Sequence, residues 1–422
     1  MPEAADPLAA VDLTDPAVVE CPYPAYSLLR EHAPVWRDPH TGNYIVTRHE
    51  DVRTVLLDPE RFGSDRGAAP LTEGVRDDDA DEVRRLYEEK GWLPRPSLAR
   101  RDDPDHKAVR RLYDHAFRPA RIKQMDDFTT ATAHELIDDF VDEGRCEFVR
   151  QYSVPLPLIL IGRQMGVPRE DIWQIKAWTD AWMKRIGGMV THEERLASIE
   201  AEIEAQHYFQ ATFERLRREP DDTLLSELVN TVIPEWGRPL DDHELHSEMM
   251  ADTFVGGSET TTNALSHGLR LVIENPELWE ALRADPESRL PTFAEELVRL
   301  ASPVQGLFRV ANVDVELAGV TIPAGSTVNV RFGSANHDER QFDEPEVADL
   351  ERGNVRSHLG FGAGIHYCLG APLARRELII GFQALVERIR EFRFAEGRNE
   401  FRHMPSLILR GLTELHVELT PL

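Results

Sequence analysis

The residues best suited to chemistry gather in the segment FGAGIHYCLGAPLARRE, where Phe361, Gly364, His366, Cys368 and Gly370 fall in the order F-x-x-G-x-H-x-C-x-G directly ahead of a helix. A cysteine at a helix N-terminus sits in positive potential, which favours the thiolate, the form that ligates a metal. Gly364 and Gly370 allow a tight turn and a close backbone approach, and Phe361 would wall the sulfur off from water. Taken alone, a single cysteine reads more often as a buried apolar residue, and a zinc pair of His366 and Cys368 lacks two further ligands nearby. A second constellation, VGGSETTTN, sets an acid, Glu259, beside an alcohol, Thr260, just after Gly256 and Gly257. A threonine there also reads as a hydroxyl bonded back to the preceding turn. Two further spacings put paired groups on one helix face: Glu296 and Arg299 in EELVR, and His106 and Arg110 in DDPDHKAVRR. Each of these also reads as an ordinary solvated face.

The elements that must position these groups are mostly helical. Residues 25–60 read as helix, hairpin around an HTGN turn, and helix. Residues 61–105, rich in Gly, Pro and charge, read as loops and short helices, a flexible access region or lid. Residues 106–290 are mainly helical. One helix starts at the Asp241-x-x-Glu244 capping box and meets no proline until Pro276, so it runs roughly 30 residues, about 45 Å. The glycines and threonines at its centre are poor interior helix formers, costing about 1 kcal/mol per glycine relative to alanine, and they predict a local fault. Helices near Pro276–Ala284 and from Pro291 to Ala301 follow, then strand-like VELAGVTIPAGSTVNVRF, an irregular stretch over 337–367, and a helix after Cys368. SLILRGLTELHVEL closes the chain as a predicted hairpin. The fold class is therefore mainly α with small β-sheets (α+β), in one domain over 1–422.

With these motifs in place, the sequence resembles the cytochrome P-450 superfamily, in particular its soluble bacterial members, over nearly the whole chain. The resemblance implies a haem b cofactor (iron protoporphyrin IX) with Cys368 as the metal ligand and a long central helix crossing above the haem. It implies that the backbone at Gly364, Gly370 and Gly256 passes close to the macrocycle, and that His106, Arg110, Arg309 and His366 meet its propionates. Glu259 and Thr260 become the catalytic pair that organises proton delivery. Glu296 and Arg299 become a buried structural ion pair, joined by Arg352 from the irregular stretch, although Ala348 stands where the family usually has phenylalanine. The substrate positions it implies are Trp92, Leu93, Val255, Leu307, Phe308, Leu407 and Ile408, with Gln305 as a polar candidate; as apolar stripes these also read as plain core. They leave terpenoids, steroids, fatty acids and aromatics open.

Composition narrows the partners. The 48 basic and 75 acidic residues give a net charge of −27, which repels nucleic acid and anionic membranes. Only three cysteines occur, Cys21, Cys146 and Cys368, which suits a reducing cytoplasm. The acidic, proline-interrupted N-terminus lacks the pattern of a leader or anchor. The implied reaction is insertion of one oxygen atom from O2 into a hydrophobic small molecule, by hydroxylation or O-dealkylation, with NAD(P)H electrons arriving through a separate ferredoxin and ferredoxin reductase. Arg110, Arg111, Arg375 and Arg376 would form a basic docking patch for that ferredoxin. A haem-thiolate sensor without turnover and a peroxide-driven peroxygenase are the rival readings, and both lack a use for the Glu259 and Thr260 pair.

Overall fold

The computed structural model describes residues 7–8, 11–66, 80–114, 116–187 and 190–422. Part of the expected access region, residues 67–79, lies outside the described residues. From Ala80 onward that region is a helix, Ala80–Lys90, then extended chain and a short turn of helix at Leu98–Arg100.

The long helix begins where its capping box requires. Asp241 accepts from the Glu244 N–H at 2.9 Å, and Glu244 accepts from the Asp241 N–H at 2.8 Å. Helical backbone then continues to Glu274. The fault lies one step earlier than the glycines: Glu248–Val255 has wide π-type turns, and regular α geometry starts at Gly256. The Thr253 hydroxyl donates to the Glu248 carbonyl five residues back at 2.8 Å, tying the widened turns together. The glycines of this helix serve packing instead. A Cβ on Gly268 would stand 2.6 Å from the Phe382 ring and 2.8 Å from Leu297, so the helices Ala371–Arg388 and Pro286–Ala301 approach only because it is absent.

Around the long helix pack Pro155–Gln164, Pro286–Ala301 and the proximal helix Ala371–Arg388, which follows Cys368. Their apolar faces form the main core, which includes Leu156, Leu160, Leu265, Leu269, Phe293, Leu297, Phe382 and Leu385. Pro276 and Pro286 open their helices, where the missing N–H has no partner to lose. Pro291 lies inside the helix that the sequence reading starts there, because Asp285 caps an earlier turn through the Ser288 N–H.

The sheets are small. Val35–Arg37 and Tyr44–Val46 make the expected hairpin, and the five-stranded sheet continues through Thr327–Val330, Leu307–Ala311 and Phe62–Gly63. Val315–Leu317 pairs with Val320–Ile322. The terminal hairpin does not form as predicted. His416–Pro421 lies between Arg145–Glu147 and Ile389–Phe394, while residues 403–412 contribute only isolated bridges, Val304 to Leu409 and His403 to Leu412. The last strand thus pairs with segments distant in sequence and not with the one just before it.

Candidate functional site

A mostly apolar cavity of about 390 Å³ separates the long helix from the segment around Cys368, and both Cys368 and Thr260 line it. The cysteine loop is held at several points. The Cys368 N–H donates to the Phe361 carbonyl at 2.9 Å. Arg110 donates to the carbonyls of Ile365 at 3.0 Å and Tyr367 at 2.9 Å, so it braces the loop from outside. Gly364 adopts φ +71°, and a Cβ there would collide with the Leu56 carbonyl. Phe361 packs under the Arg375 guanidinium, 4.5 Å from its centroid. Burial pushes the Cys368 thiol up from its ordinary value, while the Gly370 and Ala371 N–H groups, then Arg110 and Arg375, pull it back.

One end of the cavity is cationic. His366 Nε2 lies 3.0 Å from the Ser64 hydroxyl, and its ring lies 4.3 Å from that of His106. Burial, then Arg309, His106 and Arg110, pushes His366 down to about 3. Burial, then Arg110, also lowers His106, whose Nε2 is buried without a hydrogen-bond partner. Arg309 is pushed down to about 10, by burial first and by Arg66 against the pull of Asp102. The unpartnered His106 Nε2 and the buried Arg309 guanidinium would both be answered by a dicarboxylate. An apolar slot, a thiol at a helix start and this cationic end fit a haem: Cys368 would hold the metal, and His106, His366 and Arg309 would take the carboxylates.

Glu259 does not face the cavity. It is 2% exposed, its carboxylate 2.9 Å from Lys176 Nζ, with the Thr179 hydroxyl 3.5 Å away. Lys176 also pairs with Asp180. Thr260 lines the cavity, and its hydroxyl donates to the Gly256 carbonyl at 3.2 Å. Gly256 lines the cavity beside it.

Glu296 and Arg299 are both fully buried and bidentate, with Nε to Oε1 at 2.7 Å and Nη2 to Oε2 at 2.9 Å. Arg352 Nε lies 3.2 Å from Glu296 Oε1, and the Asp349 N–H donates to Oε2 at 2.9 Å. Ala348 does not prevent this arrangement.

Of the substrate positions, Val255, Leu307, Phe308 and Ile408 line the cavity; Trp92, Leu93, Gln305 and Leu407 do not. The Trp92 ring packs on His246 and His207, and Leu93 packs with Val83 and Ile203. Gln305 donates to the Ser302 carbonyl at 2.8 Å and accepts from the Tyr26 hydroxyl at 3.2 Å. Leu407 lines a separate small crevice beside Pro22, the chain bending at Leu407 and Ile408. The basic docking patch is also reduced. Arg110 is bound to carbonyls, Arg111 pairs with Glu235, Arg375 lies 2.8 Å from Glu295, and Arg376 lies 2.7 Å from Asp126.

The sequence reading misses Arg66, Arg100, Asp252 and Glu377, which all line the cavity. Asp252 had a signal, an acid within the apolar run MMADTFV. Glu377 lies on the proximal helix with Oε1 unpartnered, and burial, against a pull from Thr261, pushes it up to about 8. Among the described residues, no helix is long and apolar enough to cross a membrane.

A family model described as Cytochrome P450 matches residues 172–411. The chain is 32% identical to the steroid C26-monooxygenase of Mycobacterium tuberculosis, over 94% of this chain and 93% of that one. It is 32% identical to the nocardicin C N-oxygenase of Nocardia uniformis, over 96% of each. The solved structure of cytochrome P450 CYP109Q5 from Chondromyces apiculatus superposes with TM-score 0.82 at 31% identity, covering 98% of both chains.

Proposed function

The chain belongs to the cytochrome P450 family of haem-thiolate monooxygenases, and from that premise we propose that it transfers one oxygen atom from O2 to an apolar small molecule, by hydroxylation or O-dealkylation. NAD(P)H electrons would reach it through a ferredoxin and its reductase. The three cysteines, all free, suit the cytoplasm as the compartment. The observation that carries the reading is one mostly apolar cavity lined by both Cys368 and Thr260.

When bound, the haem supplies the redox centre at which O2 is activated. The remaining roles fall to the chain's own side chains. Cys368 would be held as a thiolate by the helix start and by its neighbours' N–H groups. His106, His366 and Arg309 would neutralise the propionates, while Arg110 keeps the cysteine loop in register. The Thr260 hydroxyl, already a donor to Gly256, would hold a proton at the cavity wall. Glu259, once released from Lys176, would take up a proton from solvent and pass it to the Thr260 hydroxyl, so it must move to act. The apolar lining would exclude water and select hydrophobic substrates.

The test is the absorption of the reduced protein under carbon monoxide. Wild type gives the red-shifted thiolate band, and Cys368→Ser loses it while keeping its far-UV dichroism. The same band in Cys368→Ser would overturn the proposal.

A further inference from the structure

The small crevice beside Pro22, of about 20 Å³, lies apart from the main cavity and is ringed by donors with too few acceptors. Arg331 and Arg410 both line it. Arg331 is 4% exposed; its Nη1 donates to the Leu407 carbonyl at 2.7 Å, while its Nε is buried without a hydrogen-bond partner. Arg410 donates from Nη1 to His267 Nε2 at 2.8 Å and from Nη2 to the Glu20 carbonyl at 3.3 Å, and its Nε is likewise buried and unpartnered. Ser406, a third lining residue, accepts at Oγ from the N–H groups of Ile408 at 3.2 Å and Leu409 at 3.1 Å, which leaves its own proton for a further acceptor.

Charge sharpens the shortage. The groups that accept from the two guanidiniums are neutral: two carbonyls and an imidazole that burial keeps uncharged. The acids of this region are engaged elsewhere. The Glu20 carboxylate accepts from the His403 N–H at 3.2 Å, and that of Glu346 lies 3.6 Å from His337 Nε2. Burial raises the Tyr26 hydroxyl, which lines the same crevice, and Arg331 and then Arg410 pull it back, so both positive charges reach one wall. A buried cation answered only by neutral groups is costly, and an anion that accepts its hydrogen bonds offsets that cost. A water would accept from these donors too, but it brings no charge and two protons of its own. The crevice has room for about one water-sized particle, so a single-atom ion suits it and sulfate or phosphate does not.

We propose that this crevice binds one halide ion, chloride in the cell, between the Arg331 and Arg410 guanidiniums with the Ser406 hydroxyl as a third donor. The ion clasps two parts of the chain. On one side stand Val18 and Val19 of the helix Pro16–Glu20 and Tyr26 of the helix Tyr23–His32; on the other stands the segment Ser406–Arg410. Leu409 lines both the crevice and the main cavity, and Ile408 lines the cavity beside it, so the clasp also steadies part of the cavity wall. None of this depends on the haem-thiolate reading.

Two measurements on the holoprotein test it. Crystals grown without chloride and exchanged into sodium bromide should give an anomalous peak between the Arg331 and Arg410 guanidiniums. In solution, the thermal midpoint should rise saturably with sodium chloride while sodium gluconate holds the ionic strength constant, and bromide should replace chloride. Arg331→Met should raise the half-saturating chloride concentration about tenfold or more, as loss of a charge-assisted contact predicts, and Ser406→Ala should raise it by less. The proposal is overturned by equal midpoints in chloride and gluconate, by a chloride response unchanged in Arg331→Met, or by bromide crystals without the peak. A peak that no chloride response accompanies marks an adventitious ion only and overturns it as well. The wild-type crystals and titration decide the matter even where Arg331→Met fails to fold.

Discussion

Replacing Glu296 by alanine removes one carboxylate that answers three donors, two from Arg299 and the Asp349 N–H, and that faces the Arg352 guanidinium 3.2 Å away. Glu296 and Arg299 are wholly out of contact with water, so the charge left behind has no solvent to turn to. Breaking a buried ion pair by deleting one partner costs about 3–5 kcal/mol, and an orphaned N–H adds roughly 1–3 kcal/mol. These overlap, so the combined loss is about 4–6 kcal/mol, a large part of the ~5–15 kcal/mol that holds a typical protein folded. Urea unfolding of apoprotein, followed by tryptophan fluorescence with a shared slope, gives the value without contribution from cofactor binding. The double variant Glu296→Ala with Arg299→Met no longer buries the Arg299 charge, and it should be less destabilised than the two single losses together by about 2–3 kcal/mol. A single-variant loss below about 1 kcal/mol would place the pair among ordinary surface ion pairs and refute the argument.

Thr260→Ala should uncouple NAD(P)H consumption from product, with peroxide as the measured excess; unchanged coupling would remove the role given to its hydroxyl. Glu259→Gln keeps the side chain's bulk but removes its proton-carrying carboxylate, and should slow turnover severalfold with little change in substrate Kd, as a proton-handling defect does. Gly268→Ala forces a methyl against Phe382 and Leu297 and should cost about 1–3 kcal/mol in the same urea assay. Glu377 has a folded value raised to about 8 from 4.5, so the folded state retains its proton longer than the unfolded chain. Its stabilising contribution is full below about pH 4.5 and is lost as pH rises towards 8, by roughly 5 kcal/mol at most. Glu377→Gln should flatten that part of the apoprotein's stability profile, and an unaltered profile would contradict it.

The site is legible in the sequence where its parts are consecutive. Cys368, the turn glycines and the helix that follows form one stretch, so ligand, turn and helix start can be read together. The same holds for the Asp241 capping box and for Pro276–Ala284, where local signals alone decide the boundary. What the sequence hides depends on contacts between distant segments. Glu259 faces Lys176, 83 residues away, instead of the cavity, and nothing near either residue announces it. Trp92 and Leu93 have the right apolar character, yet packing turns them towards His246 and Ile203. Leu407 and Ile408 are neighbours at a bend, yet they line different pockets. The last strand pairs across the molecule with Arg145–Glu147, a choice no local turn signal could reveal.

The widened turns at Glu248–Val255 also bear on how this helix tolerates changes in length. A π-type turn holds one residue more than the α-helix would in the same rise, so deleting a single residue there can be absorbed by tightening, leaving everything after Gly256 in phase. The same deletion near Gly268 would rotate all that follows by about 100° about the axis and swing the contact with Phe382 out of place. Length variation along this helix is therefore expected to concentrate upstream of Gly256, on the wall that carries Asp252, where it would remodel the cavity without disturbing Thr260.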